Sequence, residues 1–399
     1  MHLSKSTAFV LQASIILFFL AGSSAPTPLY AVYQAAWGFS PITITVVFGI
    51  YAVAVLGSLL VVGSLSDYIG RRPVLVAAAL GQVVAMIVFA TAGGVGALLA
   101  ARVIQGLSTG AAVAAVGAGL LDLDRAKGTV ANSIAPMLGT ATGGLLSGLL
   151  VQYLPAPTAL VYLVFGAIFL VQAAGVLAMP ESVTRRPGAL ASLRPQFHVP
   201  PQLRSAMLLA VPALVASWAL IGFYGSIGPA VARWLVGSKS AVVGGLTLFA
   251  LATSGAVAVL ATRRYAARTV VVVGSAALVA GTAASLIAIS TTSSPVFFLG
   301  LVVAGAGFGT TFQGVIRTIV PFATARERAG VLSVLYVIAY LAMGVPAVIG
   351  GFRFVHGGGV ITTAREYGVA VMVLGAFALV GALLRSPSPA PAAAPAQRA

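Results

Sequence analysis

Long apolar runs separated by short polar segments fill most of this 399-residue chain. Hydrophobic residues make up 60% of the sequence and charged residues 7%, so a water-soluble fold could not bury the apolar surface. A run of roughly 20 apolar residues is long enough for a helix to cross the hydrocarbon core of a bilayer. The sequence therefore predicts an all-α polytopic membrane protein.

The apolar runs predict twelve transmembrane helices. Their expected positions are residues 8–32, 42–65, 73–92, 95–121, 128–153, 158–179, 204–234, 241–262, 269–289, 295–320, 328–353 and 365–385. The first run follows Lys5 and also resembles a cleavable signal peptide. We expect it to be retained, because its removal would leave an odd number of spans and disturb the charge pattern of the loops.

The basic residues are distributed unequally between the two sets of loops. One set, which includes both chain ends, has sixteen of the 22 Lys and Arg residues: Lys5, Arg71, Arg72, Arg125, Lys127, Arg185, Arg186, Arg194, Arg204, Arg263, Arg264, Arg268, Arg326, Arg328, Arg385 and Arg398. The opposite set has Arg233, Lys239, Arg353 and Arg365, and two more arginines, Arg102 and Arg317, lie inside predicted spans. Because loops rich in Lys and Arg remain cytoplasmic, both termini are predicted to face the cytoplasm. The basic residues form no polar face, so the net charge does not indicate nucleic-acid binding.

One long polar segment divides the spans six and six. The predicted organisation is an N-terminal six-helix bundle at 1–180, a cytoplasmic linker at 181–203 and a C-terminal six-helix bundle at 204–385. Residues 386–399 are rich in Ser, Pro and Ala and predict a disordered cytoplasmic tail. Equal halves also predict a weak internal repeat, in which the basic loop at 259–268 corresponds to the loop that begins at Gly63.

Three motifs occur in the first half of the chain. Residues 63–72 read Gly-Ser-Leu-Ser-Asp-Tyr-Ile-Gly-Arg-Arg between the second and third spans, residues 102–106 read Arg-Val-Ile-Gln-Gly in the fourth, and residues 135–140 read Ala-Pro-Met-Leu-Gly-Thr in the fifth. On these motifs the chain resembles the major facilitator superfamily, and in particular bacterial drug and metabolite efflux members. The third motif is similar to the G-P-x-x-G-G pattern of the exporters, with Ala135 and Thr140 in place of two glycines. The resemblance implies a transporter built from two pseudo-symmetric six-helix bundles.

The loop motif predicts a gating cluster of glycines and charged residues. Its members are Gly63, Asp67, Gly70, Arg71, Arg72, Asp122 and Arg125. The glycines permit tight turns, and Asp67 can pair with a nearby arginine or face a helix N-terminus from the other half. We expect this cluster to latch the cytoplasmic gate in the outward-open state. The alternative is a solvated turn whose arginines only fix topology.

Arg102 lies inside a span, where an unpaired guanidinium costs at least about 2.5 kcal/mol. Gln105, Ser108 and Thr109 make much of one helical face polar, and Gly106 lies between them. The resemblance implies that Arg102 couples protons or orients substrate. The alternative is a structural arginine that bonds carbonyl groups of a neighbouring helix.

The resemblance also implies that the first, fourth, seventh and tenth spans line the substrate cavity. The candidate ligands there are Gln12, Ser23, Ser24, Thr27, Gln105, Trp218, Tyr224, Thr310, Thr311 and Gln313, with Tyr336 and Tyr340 one turn apart in the eleventh span. Each of these side chains could instead make an interhelical hydrogen bond or contact lipid. No predicted span has a carboxylate near its middle, which leaves Asp67 and Asp122 as candidate proton carriers. Neutral or weakly anionic substrates fit such a cavity better than multivalent cations.

Small residues in the fifth span predict a helix that packs closely or bends. Pro136 removes one backbone hydrogen bond, and Gly139, Gly143 and Gly144 provide small-xxx-small spacings, the last with Gly148. These features suit both a helix that moves during transport and a static packed helix.

The sequence has no nucleotide-binding loop and no cysteine, and its three histidines and six acidic residues form no catalytic or metal-binding pattern. We therefore expect neither enzyme activity nor a cofactor. The predicted function is secondary active transport by alternating access, as a proton-linked exporter of small neutral or weakly anionic organic molecules. The expected setting is a monomer in the cell membrane, with lipid, substrate and protons as partners. An uncoupled facilitator or importer and a non-transporting receptor or scaffold are the alternatives.

Overall fold

The computed structural model describes residues 3–195, 197–324 and 327–384, and within these ranges the chain is helical with no strand. The N-terminal half contains α1 (Lys5–Ser24), α2 (Tyr30–Trp37), α3 (Pro41–Val62), α4 (Ser66–Ile69), α5 (Arg71–Ala90), α6 (Val95–Leu123), α7 (Arg125–Tyr153) and α8 (Pro157–Leu177). The rest contains α9 (Ala189–Ser192), α10 (Pro201–Ser226), α11 (Gly228–Val236), α12 (Ala241–Thr262), α13 (Ala267–Thr291), α14 (Ser294–Ile319), α15 (Arg328–His356) and α16 (Gly359–Leu384), with a 3-10 turn at Val320–Phe322.

Twelve helical segments in the described ranges are long and apolar enough to cross a membrane, which confirms the all-α class and the predicted number of spans. Short helices α4 and α9 belong to connecting segments, and α2 and α11 extend the first and seventh spans. Arg326, Arg385, Arg398 and the tail predicted at 386–399 lie outside the described residues.

Local chemistry explains where several helices begin. The Ser4 hydroxyl accepts the Thr7 N–H at the start of α1, and the Ser240 hydroxyl accepts the Val242 N–H at the start of α12. Proline occupies the first turn of α3, α8, α10 and α14, where its missing N–H costs nothing. These caps satisfy backbone groups that an apolar solvent would leave without partners.

Two predicted spans are interrupted, which corrects the continuous helices expected at 8–32 and 204–234. The first span breaks between α1 and α2, because Pro26 and Pro28 cannot donate backbone hydrogen bonds there. The seventh breaks at Ile227, next to Pro229 in the first turn of α11. Hydropathy does not register either interruption, since both segments remain apolar.

The bundle has two membrane faces. The linker side carries α4 and residues 178–195 and 197–200, and the far side carries the α2–α3 and α7–α8 connections. The first part of the linker contacts the N-terminal half, where the Arg186 N–H donates to the Tyr68 carbonyl. The second part contacts the C-terminal half, where His198 lies against Gly330.

The described contacts between the two halves concentrate toward the far side. Helix α7 packs on α12 where Gly144 meets Gly245 and Gly148 meets Ala241, and α3 packs on α15 where Gly49 meets Val348. Two hydrogen bonds join spans of the two halves in the described ranges. The Thr27 hydroxyl donates to the Gly225 carbonyl over 3.4 Å, and the Ala241 N–H donates to Gln152 Oε1 over 3.3 Å. The far side is therefore closed by small residues that let backbones approach.

Candidate functional site

Arg102 is completely buried in α6. Its Nη1 donates to the Ser23 carbonyl over 2.7 Å and to Gln105 Oε1 over 2.6 Å, and its Nε and Nη2 both donate to the Tyr30 hydroxyl. The rings of Tyr30, Tyr51 and Phe89 surround the guanidinium, with centroids 5.1–5.9 Å from its central carbon. The hydrogen bonds of this guanidinium in the described ranges involve no carboxylate, so its charge is balanced by carbonyl, hydroxyl and aromatic groups alone.

The same face of α6 supplies a hydrogen-bond donor at the break in the first span. In a continuous helix the N–H of residue 26 would bond the Gly22 carbonyl, but Pro26 has no N–H. Gln105 Nε2 donates to that carbonyl over 3.0 Å instead. Because Arg102 and Gln105 are three residues apart, they project from one face of α6 and bond consecutive carbonyls of α1.

An aromatic group from the C-terminal half lies beside the contact between α3 and α15. It is defined by Trp218, Phe308, Phe312, Tyr336 and Tyr340. Trp218 lies with its ring centroid 5.0 Å from that of Tyr340, 5.2 Å from that of Phe312 and 6.5 Å from that of Phe308. Its indole nitrogen is buried without a protein partner. An unpaired donor among aromatic rings can donate to a polar atom of a flat ligand.

The aromatic group connects to the N-terminal half through α3. Trp218 and Tyr340 pack against a buried cluster that includes Phe48 and Ala52 of α3 and Met343 of α15. Tyr51, next to Ala52, faces Arg102. Helix α3 therefore contacts the Arg102 guanidinium through Tyr51 and the aromatic group through Phe48 and Ala52.

Several other predicted cavity residues contact neither the Arg102 guanidinium nor the aromatic group. Gln12 donates to the Met179 sulfur on the linker side, and Ser24 donates to the Thr140 carbonyl of α7. Ser108 lies against Gly81 of α5, and Thr109 accepts a hydrogen bond from Gln82 of the same helix. Tyr224 lies against Ser285, and Thr310 and Thr311 lie against Gly274 of α13, whereas Gly106 packs on the backbone of Tyr51 in α3.

Helix periodicity explains these placements. Residues 105, 108 and 109 were expected to share one face, but Gln105 points to α1 whereas Thr109, one turn later, reaches α5. Gln313 keeps a buried side-chain oxygen without a protein partner. Tyr30, Tyr51, Phe89, Phe308 and Phe312 were missed by the sequence analysis, because apolar and aromatic residues occur throughout these spans and give no distinguishing pattern.

The gating cluster is centred on Arg71, which is 6% exposed. Arg71 Nη1 donates to Asp67 Oδ1 over 2.5 Å and to the Ser66 hydroxyl over 2.6 Å, and its Nε donates to Asp122 over 3.3 Å. Both predicted carboxylates therefore pair with one arginine of the same half. Charge-assisted bonds to a buried guanidinium stabilise the α4–α5 turn against the end of α6.

Glu181 completes this cluster and was assigned to the linker by sequence. Its carboxylate accepts the backbone N–H groups of Arg71 (2.8 Å) and Arg72 (3.0 Å), so it caps the N-terminus of α5. Gly70 has a positive φ of 104°, and a Cβ there would overlap the Glu181 carboxylate. The second glycine of the motif is therefore required by both backbone conformation and space.

The remaining members of the cluster have simpler contacts. Arg72 donates to the Leu177 carbonyl, Gly63 follows the end of α3 in a helical conformation, and Arg125 is exposed at the start of α7. Asp124 caps α7, and hydrogen bonds from the backbone N–H groups of Lys127 and Ala126 hold its pKa below the usual range.

The small residues of α7 form two contact faces. A Cβ at Gly139 or Gly143 would overlap backbone carbonyls of α1, whereas Gly144 faces α12. Pro136 lies inside the helix. The predicted close packing therefore occurs on both sides of α7, toward its own half and toward the other half.

The family model of the Major Facilitator Superfamily matches residues 13–345. The chain belongs to the Major Facilitator Superfamily. No curated protein sequence matches it. As a superfamily member it is a multi-pass membrane transporter rather than an enzyme. In the described ranges, no three His, Asp or Glu residues are grouped to hold a metal ion.

Solved transporter structures share this superfamily fold. A bacterial homolog of the human lysosomal transporter Spinster, in an inward-facing and unoccupied conformation, is 14% identical with a TM-score of 0.75, and the match covers 97% of this chain and 99% of that one. A D-xylose–proton symporter is 15% identical with a TM-score of 0.71, covering 95% of each chain. The human organic anion transporter MFSD10 (TETRAN) is 18% identical with a TM-score of 0.67, covering 94% of this chain and 100% of that one.

Proposed function

We propose that this superfamily member exports small neutral or weakly anionic organic molecules by alternating access, coupled to protons. The observation that carries the proposal is the buried Arg102 guanidinium, which no carboxylate neutralises among its described hydrogen-bond partners. A positive charge in a low-dielectric interior disfavours cations and favours ligands that carry negative charge or strong acceptors. The aromatic group supplies an apolar surface and the unpaired indole donor of Trp218.

The arrangement of the two halves supports an inward-facing state of the transport cycle. The far side is closed by α7–α12 and α3–α15 packing, and the charge bias of the loops favours a cytoplasmic linker side. We infer that the chain is inward-facing here and that both termini are cytoplasmic in the cell membrane. The proposed units are the bundles at 1–180 and 204–385, working as a monomer.

Proton coupling would use the gating cluster. Asp67 and Asp122 both pair with Arg71, and their side chains are 41% and 38% exposed, so protons can reach them from the linker side. Protonation of either carboxylate would weaken the ion pair and so bias the α4–α5 turn. We propose these two residues as the proton carriers, with Gly63, Gly70, Arg72 and Arg125 shaping and charging the same gate.

A second candidate is an uncoupled facilitator or importer. The specific observation in its favour is that the described carboxylates lie in connections or within about two turns of a helix end, with none near the middle of a span. A protonophore experiment separates the two candidates. In proteoliposomes, coupled export requires an imposed pH gradient and stops when a protonophore is added, whereas facilitated flux follows the substrate gradient and is unaffected.

Growth of an efflux-deficient bacterial host on a chemically diverse toxin panel tests export itself. Wild-type protein should protect against a subset of compounds, enriched in neutral and weakly acidic molecules, and Arg102→Ala should not. Because Arg102 also bonds α1, Trp218→Ala serves as a second loss-of-function variant and Leu208→Ala, a 72% exposed lipid-facing position, as the matched control. Equal sensitivity of all strains, with each protein present in the membrane, would reject export. Protection confined to cationic compounds would reject the proposed substrate class.

A further inference from the structure

Met137 of α7 lies at the boundary between the two halves, near the middle of its helix. A Cβ added at Gly255 of α12 would lie 3.5 Å from the Met137 sulfur and 3.7 Å from the Phe308 ring. Met137 also packs against the buried hydrophobic cluster of the C-terminal half that contains Phe308 and Leu251. Among the described residues that form or contact this cluster, Met137 alone comes from the N-terminal half. The N-terminal half therefore adds one thioether to a surface that the C-terminal half otherwise builds.

Met137 also lies at the linker-side end of the contact between α7 and α12. Toward the far side, Gly144 and Gly148 of α7 pack directly on α12. Toward the linker side, the Asn132 side chain donates instead to the Gly117 carbonyl of α6, within its own half, over 2.8 Å. Met137 itself is only partly buried. Because the far side is closed, the space between the halves in the inward-facing state begins at this side chain.

The aromatic group lies next to this end of the contact. Trp218 packs against the same buried cluster as Met137, and its ring centroid lies 6.5 Å from that of Phe308. At its other edge the group meets Phe48 and Ala52 of α3. A molecule held by the aromatic group is therefore within reach of the N-terminal half on two sides, at Met137 and at α3.

We propose that Met137 contacts the transported molecule and selects flat aromatic ligands. The inference rests on the transport function proposed above and narrows its substrate class. A thioether is polarisable and makes favourable contacts with aromatic rings at a sulfur-to-ring distance of about 5 Å. Its three rotatable bonds let the sulfur follow rings of different shape, while the aromatic group packs on the rest of the ligand. The fifth span thus contributes to selectivity, in addition to the four spans that the superfamily resemblance implied.

Equilibrium binding to the purified full-length chain in detergent tests this role with two acids, naphthoate and decahydronaphthoate. Both carry one carboxylate, but only naphthoate is flat and aromatic. Wild-type protein should bind naphthoate more tightly. Met137→Leu keeps an apolar side chain without the sulfur, and should weaken naphthoate binding about two- to tenfold relative to that of the saturated acid. Met86→Leu, which is buried inside the N-terminal half, is the matched control and should leave the ratio of the two affinities unchanged.

The ratio of the two dissociation constants separates ligand contact from conformational change. Met137 also packs at the α7–α12 contact, so its substitution can alter the population of the inward-facing state. Such a shift changes both affinities by the same factor and cancels in the ratio. Binding is measured without flux, so its outcome is separate from that of the export test. No binding of naphthoate, equal affinity of wild-type protein for the two acids, an unchanged ratio in Met137→Leu, or the same loss in Met86→Leu would overturn the proposal.

Discussion

Gln105 Nε2 donates to the carbonyl of Gly22, the acceptor that Pro26 leaves without its helical partner. Arg102, one turn earlier on the same face of α6, bonds the next carbonyl, that of Ser23. A break in a span is tolerated in a membrane only when the exposed backbone groups find partners. Arg102 and Gln105 therefore hydrogen-bond the fourth span directly to the interrupted first span.

This relationship predicts a measurable coupling between Gln105 and Pro26. Gln105→Leu should destabilise the protein by about 1–3 kcal/mol, because the buried Gly22 carbonyl loses its donor. In a Pro26→Ala background the restored N–H can bond that carbonyl, so the same substitution should cost less. Thermal unfolding of the four variants in detergent gives the coupling free energy. As a control, Thr142→Ala replaces Gln105→Leu in the cycle. Its hydroxyl bonds carbonyls of its own helix, so its effect on stability should add to that of Pro26→Ala. Additive effects of Gln105→Leu and Pro26→Ala would show that the glutamine does not replace the missing helical bond.

Gly70→Ala should destabilise the linker side by about 1–2 kcal/mol or more. The positive φ at this position disfavours a Cβ, and the added atom would also displace the Glu181 carboxylate from the α5 N-terminus. Gly57→Ala is the matched control, since Gly57 lies inside α3 with open space around a Cβ. We expect the control to unfold at or above the wild-type temperature. Comparable losses in both variants would contradict a specific role for the Gly70–Glu181 contact.

The cap at Asp124 predicts a pH dependence of stability. The pKa of this carboxyl is lower in the folded protein than in the unfolded chain, because backbone N–H groups stabilise its charged form. The stabilisation of the folded protein by this carboxylate is therefore present above the unfolded pKa of about 3.9. It is lost as the pH falls through the folded pKa. Asp124→Asn keeps a capping oxygen without the titration, so its unfolding temperature should fall less steeply below about pH 4. Identical slopes for the two proteins would exclude the cap as a contributor.

The latch hypothesis makes a separate prediction about Asp67. The Asp67–Arg71 pair is already formed in the conformation inferred to be inward-facing, so a latch requires this cluster to contact the C-terminal half when the linker side closes. Asp67→Asn should then raise the population with an open linker side and slow transport. The chain has no cysteine, so single Cys substitutions can be labelled without removing native ones. Maleimide labelling of Met137→Cys, whose side chain meets Gly255 across the α7–α12 contact, reports separation of the two halves, and Ser58→Cys, buried between α3 and α6 of one half, is the control. Unchanged labelling and transport would leave the loop motif as a topological signal only.

Span number, helix class and the position of the charged loop motif were predictable because they follow from length, hydropathy and charge. The sequence predicted that Asp67 pairs with a nearby arginine, since opposite charges attract whatever the detailed geometry, but it did not single out Arg71. The breaks at Pro26 and Ile227 were not predicted, because an apolar segment with proline reads as continuous on a hydropathy scale.

Side-chain direction limited the site prediction most. Whether Thr109 faces the first span or α5 depends on a rotation of a few tens of degrees, which no short motif encodes. Likewise, Tyr30 and Tyr51 meet Arg102 only through tertiary packing of α2, α3 and α6. The capping role of Glu181 depends on a contact across 110 residues of sequence. Long-range contacts of this kind are absent from any local pattern.

Alternating access is tested most directly by two distances between α7 and α12, one on each side of the membrane. Spin labels at Lys127→Cys and Arg263→Cys mark the exposed linker-side ends of these helices, and labels at Tyr153→Cys and Lys239→Cys mark the exposed far-side ends. Adding a transported compound, or changing pH, in lipid nanodiscs should produce a population with a shorter linker-side distance and a longer far-side distance. Two distances that stay fixed under all conditions, in protein that still transports, would contradict the proposed mechanism.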